Sequence, residues 1–145
     1  MSVITMIKAI KKIHTEDVVL VKIGKFFHTY GKDAYIISYL MKYKLRTIEE
    51  NIVTVGFSEN AKSKVISILE NKKINFLIVD RRNDYEVDEK SDNKGLNNYK
   101  NIFEKAHEYI NLKNRLDKIY ILLANNLLKK ETKKKIFEIE ELIKK

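Results

Sequence analysis

The segment that begins at Gly24 holds the side chains best suited to contact a ligand. Its first nine residues, Gly24-Lys25-Phe26-Phe27-His28-Thr29-Tyr30-Gly31-Lys32, include three aromatic rings and two lysines. Ammonium groups pair with phosphates, while aromatic rings stack on bases or wedge between base steps. This mix is typical of a nucleic-acid surface. The alternative is that the rings belong to a core, because alternate residues of a strand face inward.

Signatures of catalysis are absent from the sequence. Gly24-Lys25 is not a P-loop, because no glycine precedes it at the required spacing and Phe26 replaces the hydroxyl residue that holds magnesium. There is no Gly-x-Ser-x-Gly elbow, no cysteine, and no metal-ligand spacing among the three histidines. The sequence therefore predicts no catalytic residue, no metal site and no cofactor.

One cluster of carboxylates leaves a different interpretation open. It lies in polar, linker-like sequence and comprises Asp80, Asp84, Glu86, Asp88 and Glu89. We interpret it as a solvated acidic loop. The alternative is a metal-dependent nuclease, although such a site needs ligands that converge on a rigid frame.

The charge balance favours a polyanionic partner. The chain has 145 residues, and 29 Lys and Arg against 20 Asp and Glu give a net charge of +9. Most of the excess is lysine in a chain rich in Ile and Asn, so the codon bias of an AT-rich genome explains it equally well. No apolar run approaches the roughly 20 residues that span a bilayer, and the first residues lack the features of a signal peptide. We therefore expect a cytoplasmic protein without a membrane partner.

Strand and helix patterns alternate in the first part of the chain, which predicts an α/β fold with one mixed sheet flanked by helices. Apolar residues at steps of three predict a helix from Val3 to Ile13, and a β-branched run predicts a strand from Val18 to Ile23. The same patterns predict a strand at Lys25 to Tyr30, a helix from Asp33 to about Tyr43, a strand at Ile52 to Phe57, a helix capped by Ser58 and a strand at Ile74 to Val79.

The second part of the chain has a different character. Residues 80 to 98 are almost wholly polar, which is linker composition. From Tyr99 onward, apolar residues at steps of three, four and seven predict a long amphipathic helix, which the run from Lys129 to Lys135 separates from a last short helix. We therefore predict an α/β domain at 1–88, a linker at 89–98 and a helical hairpin at 99–145.

The predicted hairpin has a wide apolar face and too little mass to bury it internally. That face must pack on the α/β domain, on a second copy of the chain or on another protein. All three satisfy the same requirement for burial, so the sequence leaves them open.

The strand and turn around Phe26 carry a family resemblance. Residues 18 to 34 resemble the start of the amino-terminal, mismatch-binding domain of MutS, where an apolar strand precedes Gly-Asp-Phe-Tyr-Glu-x-Phe and an Asp-Ala pair opens a helix. The likeness continues without a gap from Gly56 to Asp80 and covers residues 1 to about 87. It implies the α/β fold of that domain. A lone copy with a helical tail also resembles the small MutS-like accessory proteins found beside the reverse transcriptases of diversity-generating retroelements.

The resemblance also implies which residues contact nucleic acid. Phe26 stands where MutS has the phenylalanine that wedges beside the mismatched base. Such a wedge costs free energy because it unstacks a base step, and it kinks the duplex in exchange. His28 replaces the glutamate that hydrogen-bonds the base, so discrimination of mismatches as in MutS does not follow. We predict contacts from Phe26 and His28, and phosphate contacts from Lys22, Lys25, Lys32, Lys62 and Lys64.

The resulting hypothesis is a non-catalytic accessory protein that binds DNA or an RNA–DNA duplex. Its expected protein partners are a reverse transcriptase or repair machinery, and a second copy through residues 99–145. The alternative is a protein-interaction adaptor that keeps the MutS-like fold only as a scaffold, with Phe26 buried and the C-terminal helices docked on a partner.

Overall fold

β-Branched and aromatic runs form a six-stranded sheet in the first part of the chain. The computed structural model describes residues 2–91 and 95–145, which divide between Tyr109 and Ile110 into two units. The strands are β1 (Val18–Ile23), β2 (Phe26–Tyr30), β3 (Arg46–Ile48), β4 (Ile52–Ser58), β5 (Phe76–Asp80) and β6 (Glu86–Lys90). The helices are α1 (Val3–Ile13), α2 (Lys32–Met41), α3 (Lys62–Asn71), α4 (Tyr99–Ala124) and α5 (Lys130–Ile143).

The sheet is mixed, as predicted, and its strand order is β3-β4-β2-β1-β5-β6. The central pair β1 and β5 is parallel, with Leu20 opposite Ile78, and every other pair is antiparallel. The parallel pair is buried on both faces, which is the usual position of parallel strands and explains their continuous apolar sequences.

One face of the sheet carries the main core. Helices α2 and α3 and the first turns of α4 cover this face, and the buried side chains include Leu20, Phe27, Ile37, Phe57 and Leu69. The rings of Phe27 and Phe57 stack with their centroids 5.5 Å apart, which fixes β2 against β4 at the centre of this face.

The opposite face is only partly covered. Helix α1 packs Ile7 against Val19, Val21, Leu77 and Val79, so it shields β1 and β5. Strands β2, β4 and β3 carry no helix on this side in the described residues. Their side chains there form an open surface, which we call the open face.

A buried carboxylate joins the elements around the start of β1. Asp33 on α2 is 1% exposed and accepts hydrogen bonds from the Val19 amide (3.1 Å), the Lys11 ammonium (3.0 Å) and the Tyr99 hydroxyl (2.5 Å). Because these donors belong to β1, α1 and α4, one side chain fixes three elements relative to α2. Buried carboxylates are tolerated when they are paired in this way.

The second unit consists of the rest of α4 and α5. Among its apolar residues Ile110 is buried, whereas twelve large apolar side chains from Leu112 to Ile143 are at least 40% exposed. Among the described residues, no helix combines the length and the apolar character needed to cross a membrane.

The α/β class, the mixed sheet and the C-terminal pair of helices are confirmed, but three details differ from the predictions. The region predicted as polar linker contains β6, which pairs with β5 as an edge strand. The first unit extends to Tyr109 rather than 88, because Tyr99 and Ile102 belong to its core. Ser58 does not cap a helix: a short 3₁₀ turn, Glu59–Ala61, follows it, and the Ser58 side chain makes no capping hydrogen bond.

The lysine run also lies elsewhere than predicted. Most of it forms the first turns of α5, which begins at Lys130, rather than the connection between the two helices. Lysines have good helix propensity, so the run continues the helix instead of interrupting it.

Candidate functional site

A tight turn presents Phe26 at the edge of the open face. Strands β1 and β2 are joined by the two residues Gly24-Lys25, with Ile23 opposite Phe26. Gly24 has φ of 62°, and a positive φ at the first of two turn residues is the geometry that favours glycine in type II′ hairpins. The Glu59 amide donates to the Lys25 carbonyl at 2.9 Å, which ties the turn to the end of β4. The Phe26 ring is thus held on a fixed hairpin and remains 53% exposed.

The open face contains a groove between two rows of larger side chains. The first row is Phe26, His28 and Tyr30 on β2, and the second is Arg46 and Ile48 on β3. Between them, β4 presents only small residues: Ser58 lies opposite Phe26, Gly56 opposite His28 and Thr54 opposite Tyr30. The groove has a volume of about 700 Å³.

Gly56 makes room for the imidazole of His28. A Cβ atom at this position would lie 3.1 Å from both Cε1 and Nδ1 of the His28 ring. Real Cβ atoms rarely approach so closely, so the absence of a side chain lets the ring lie across the neighbouring strand. The floor of the groove at this point is therefore backbone and imidazole.

The electrostatics of the groove favour a neutral His28 beside a cation. Partial burial lowers the pKa of His28 below its usual 6.5, and the nearby Arg46 guanidinium lowers it further. A neutral imidazole can donate one hydrogen bond and accept another. Within the residues that the structure describes, neither Arg46 nor Lys25 forms an ion pair, so both cations remain available to an anion.

A second cleft adjoins the groove on the β3 side. It has a volume of about 490 Å³, shares Arg46, Gly56 and Ser58 with the groove, and adds Lys42 and Lys44. The Lys42 ammonium lies 4.1 Å from the centroid of the Tyr109 ring, so it is already engaged in a cation–π contact. Lys44 and Arg46 therefore supply exposed positive charge along this border of the open face.

The predicted contact residues separate into two groups. Phe26 and His28 share the open face, and Lys25 lies next to Phe26 in the turn. Lys22 lies opposite Phe27 in the register of β1 and β2, so it belongs to the other face.

The remaining predicted lysines lie on helices that cover the other face. The Lys32 ammonium is 5.2 Å from the Phe103 ring centroid, and Lys62 forms an ion pair with Glu89 at 3.1 Å. Lys64 is exposed on α3. The structure therefore does not bring Lys22, Lys32, Lys62 and Lys64 to the face that carries Phe26.

Arg46 is the site residue that sequence reasoning missed. It lies on a three-residue edge strand whose residues are all exposed, so no apolar pattern marks it. One signal in the sequence could have pointed to Arg46, namely its position shortly before the β-branched run of β4. If the residues before that run pair with it as an antiparallel strand, Arg46 lies beside Thr54.

The acidic cluster does not form the predicted loop. Glu86, Asp88 and Glu89 lie on β6 and are exposed, while Asp80 ends β5 and its carboxylate accepts from the Arg82 amide at 2.9 Å. An edge strand with charged residues is protected against pairing with other chains. In residues 2–91 and 95–145, no three carboxylate or imidazole groups are placed to hold a metal ion together.

A comparison with protein families identifies the family to which this fold belongs. The family model described as MutS domain I matches residues 2–106. The chain belongs to the MutS domain I family. The match coincides with the first unit, which ends at Tyr109. MutS domain I is a DNA-binding domain that recognises mismatches, and membership supports nucleic-acid binding by this chain. No curated protein matches the sequence.

Proposed function

We propose that this chain is a non-catalytic accessory protein that binds a nucleic-acid duplex, DNA or RNA–DNA hybrid, through the open face. The observation that carries the proposal is the position of Phe26, whose ring is 53% exposed on a fixed two-residue hairpin. The adaptor alternative required a buried Phe26, and the exposure of the ring argues against that version.

Phe26 would act as the wedge. Removing an exposed phenylalanine ring from water is favourable, so a ring that is already held in place gains free energy of binding when a ligand covers it. Inserting a ring beside a base step unstacks it at a cost of a few kcal/mol, which the additional contacts of a kinked duplex offset. The groove beside Phe26 could accommodate the base or the sugar-phosphate backbone that the wedge displaces.

Phosphate contacts would come from the cations around the open face rather than from the helices. Lys25 adjoins Phe26, and Arg46 lines the groove together with His28. Arginine binds phosphate with two parallel hydrogen bonds, which fixes orientation as well as charge. Because these cations contact the backbone, they position the duplex without reading its sequence.

His28 would set the selectivity for base pairs. MutS has a glutamate at this position. An ionised glutamate can accept hydrogen bonds but cannot donate them, whereas a neutral imidazole does both. His28 can therefore satisfy either kind of group on a base edge. We propose that the chain responds to a deformable duplex more than to the identity of a mismatch.

The first experiment measures binding to labelled DNA duplex and RNA–DNA hybrid by fluorescence anisotropy at low salt. Phe26→Ala should weaken binding by about fivefold to 150-fold, since contacts between a base and an aromatic ring contribute about 1–3 kcal/mol. Val87→Ala is the matched control, because Val87 is also 53% exposed but lies on β6, at the other end of the sheet. Undetectable binding of the native chain to both duplexes would overturn the proposal in favour of the adaptor.

The second experiment tests which cations contact phosphate. Each phosphate contact contributes about −0.9 to the slope of log K against log salt concentration. Arg46→Gln should therefore make the slope shallower by about 0.9, while Lys64→Gln on α3 should leave it unchanged. The opposite pattern would place the duplex on the helical face and refute the assignment of the open face.

An accessory role beside a reverse transcriptase or a repair enzyme belongs to the same proposal. Its support is the family membership together with the exposed apolar residues of the second unit, which are suited to a protein contact. The role predicts that the native chain raises the affinity of its partner enzyme for duplex, and that Phe26→Ala removes this effect without preventing the protein contact.

A further inference from the structure

The second unit exposes an apolar stripe on each of its helices. On α4 the stripe consists of Leu112, Leu116, Ile119 and Tyr120, which are between 48% and 71% exposed. On α5, Thr132 is buried and Ile136 partly buried, but Ile139 and Ile143 on the same side of the helix are 40% and 79% exposed. Residues three and four apart lie on one helix face, so each stripe is continuous.

The charges of α5 are separated along its length. Apart from Glu131 in the first turn, the charged residues of the first half are Lys130, Lys133, Lys134 and Lys135, and those of the second half are Glu138, Glu140 and Glu141. Lysines near a helix N-terminus and glutamates near its C-terminus both oppose the helix dipole. None of these side chains forms an ion pair within the described residues. This order is unfavourable for an isolated helix, and a partner helix with the opposite charge order would compensate it.

We propose that the partner is a second copy of this chain, with the α5 helices of the two copies antiparallel. Lys133 and Glu140 are seven residues apart, which is close to two helical turns, so they flank the apolar stripe on the same side. A two-fold axis near Ile136 and Phe137 would place Lys133 of each copy opposite Glu140 of the other. The charge order that is unfavourable within one helix becomes complementary in this pair.

The exposed apolar area is sufficient for such a dimer. Four residues of the α4 stripe and three of α5, namely Ile139, Leu142 and Ile143, are each between 40% and 79% exposed. At about 100 Å² per side chain they offer roughly 700 Å² per copy, compared with about 800 Å² per partner in a standard interface. Both α4 and α5 of each copy would contribute to this interface.

The experiment measures the oligomeric state of the full chain by sedimentation velocity over a concentration series. The native chain should form dimers, and Leu116→Glu should abolish them because it places a charge in the apolar stripe. Lys133→Glu and Glu140→Lys should each weaken dimerisation about tenfold by opposing like charges twice per dimer. An equimolar mixture of these two variants should form dimers again, since every opposed pair is then of opposite sign.

Lys134→Glu is the matched control for charge. It makes the same change one residue along, away from the apolar stripe, and should leave dimerisation intact. A native chain that is monomeric at all concentrations would overturn the proposal, as would equal effects of Lys133→Glu and Lys134→Glu. Loss of duplex binding in Lys133→Glu without a change in oligomeric state would also overturn it, and would assign the lysines to nucleic acid.

Discussion

The hydroxyl of Tyr99 should contribute measurably to the stability of the first unit, and Tyr99→Phe tests this. The hydroxyl donates to Asp33 at 2.5 Å, where the carboxylate is 1% exposed and has the Val19 amide and the Lys11 ammonium as its other donors. A hydrogen bond to a charged group contributes about 1.5–3 kcal/mol, and the buried acceptor cannot regain it from water. At about 4 °C per kcal/mol, the melting temperature should fall by about 6–12 °C.

The pH dependence of this loss identifies its cause. Burial raises the pKa of the Asp33 carboxyl above its unfolded value, while Lys11 and the hydrogen-bond donors oppose that shift. The folded protein therefore binds the Asp33 proton more tightly than the unfolded chain does. This tighter proton binding contributes fully to the free energy of unfolding at a pH below the pKa of Asp33 in the unfolded chain. The contribution is lost as the pH rises through the pKa of Asp33 in the folded protein. Tyr99→Phe removes a bond to the ionised form, so its effect should be larger at pH 7 than at an acid pH where Asp33 is protonated.

Urea unfolding of the full chain, followed by tyrosine fluorescence and circular dichroism at both pH values, measures these differences. Tyr35→Phe is a suitable control, because it removes the same hydroxyl from a partly exposed residue whose ring packs edge-on against Phe103. A loss below about 0.5 kcal/mol at pH 7, or an equal loss at both pH values, would refute the reasoning.

Three further changes test the open face and its supporting strand. Gly56→Ala places a methyl group 3.1 Å from the His28 ring, so we expect weaker duplex binding by anisotropy with little change in melting temperature; unchanged affinity would show that the ring position is irrelevant. The pKa of His28 is lowered by burial, so stability is lost as pH falls from 6.5 through the folded pKa; His28→Gln should show a smaller loss between pH 7 and pH 5 in urea unfolding. The Thr29 hydroxyl is buried without a hydrogen-bond partner in the described residues, so Thr29→Val should raise the free energy of unfolding by about 1 kcal/mol, and a decrease would indicate an unseen partner.

The central strands could be predicted from sequence, whereas the edge strands could not. Strand β1 is a β-branched run because it is buried on both faces, and this burial is visible as composition. Strands β3 and β6 are exposed throughout, so Arg46–Ile48 and Glu86–Lys90 resemble loops. Only pairing with a neighbour that is already in place makes them strands, and pairing is not encoded in local composition.

The end of the first unit is set by a contact between distant residues. Tyr99 follows a polar stretch and begins an amphipathic helix, so composition favours a boundary before it. The structure instead buries its ring and joins its hydroxyl to Asp33, 66 residues earlier. A hydrogen bond over that separation has no local signature, and the boundary was therefore predicted too early.

The candidate site was predictable only where it follows strand alternation. Phe26 and His28 are two residues apart on β2 and therefore share a face, and the resemblance to MutS pointed to the same pair. The lysines could not be assigned in this way. Lys22 belongs to the other face because it lies opposite Phe27, and Lys62 lies on a helix whose side of the sheet depends on the chain connection.

The small number of cations on the open face bears on how the two proposals relate. Lys25, Lys44 and Arg46 account for only part of a net charge of +9, so under the proposed function a single open face would make few phosphate contacts and would gain little affinity from counterion release. A wedge with few cations binds weakly, because unstacking the duplex offsets much of the gain. A dimer through the second unit would carry two open faces, and binding of the second to the same duplex would be intramolecular. Self-association would then raise the affinity for duplex without any change in the contacts of Phe26.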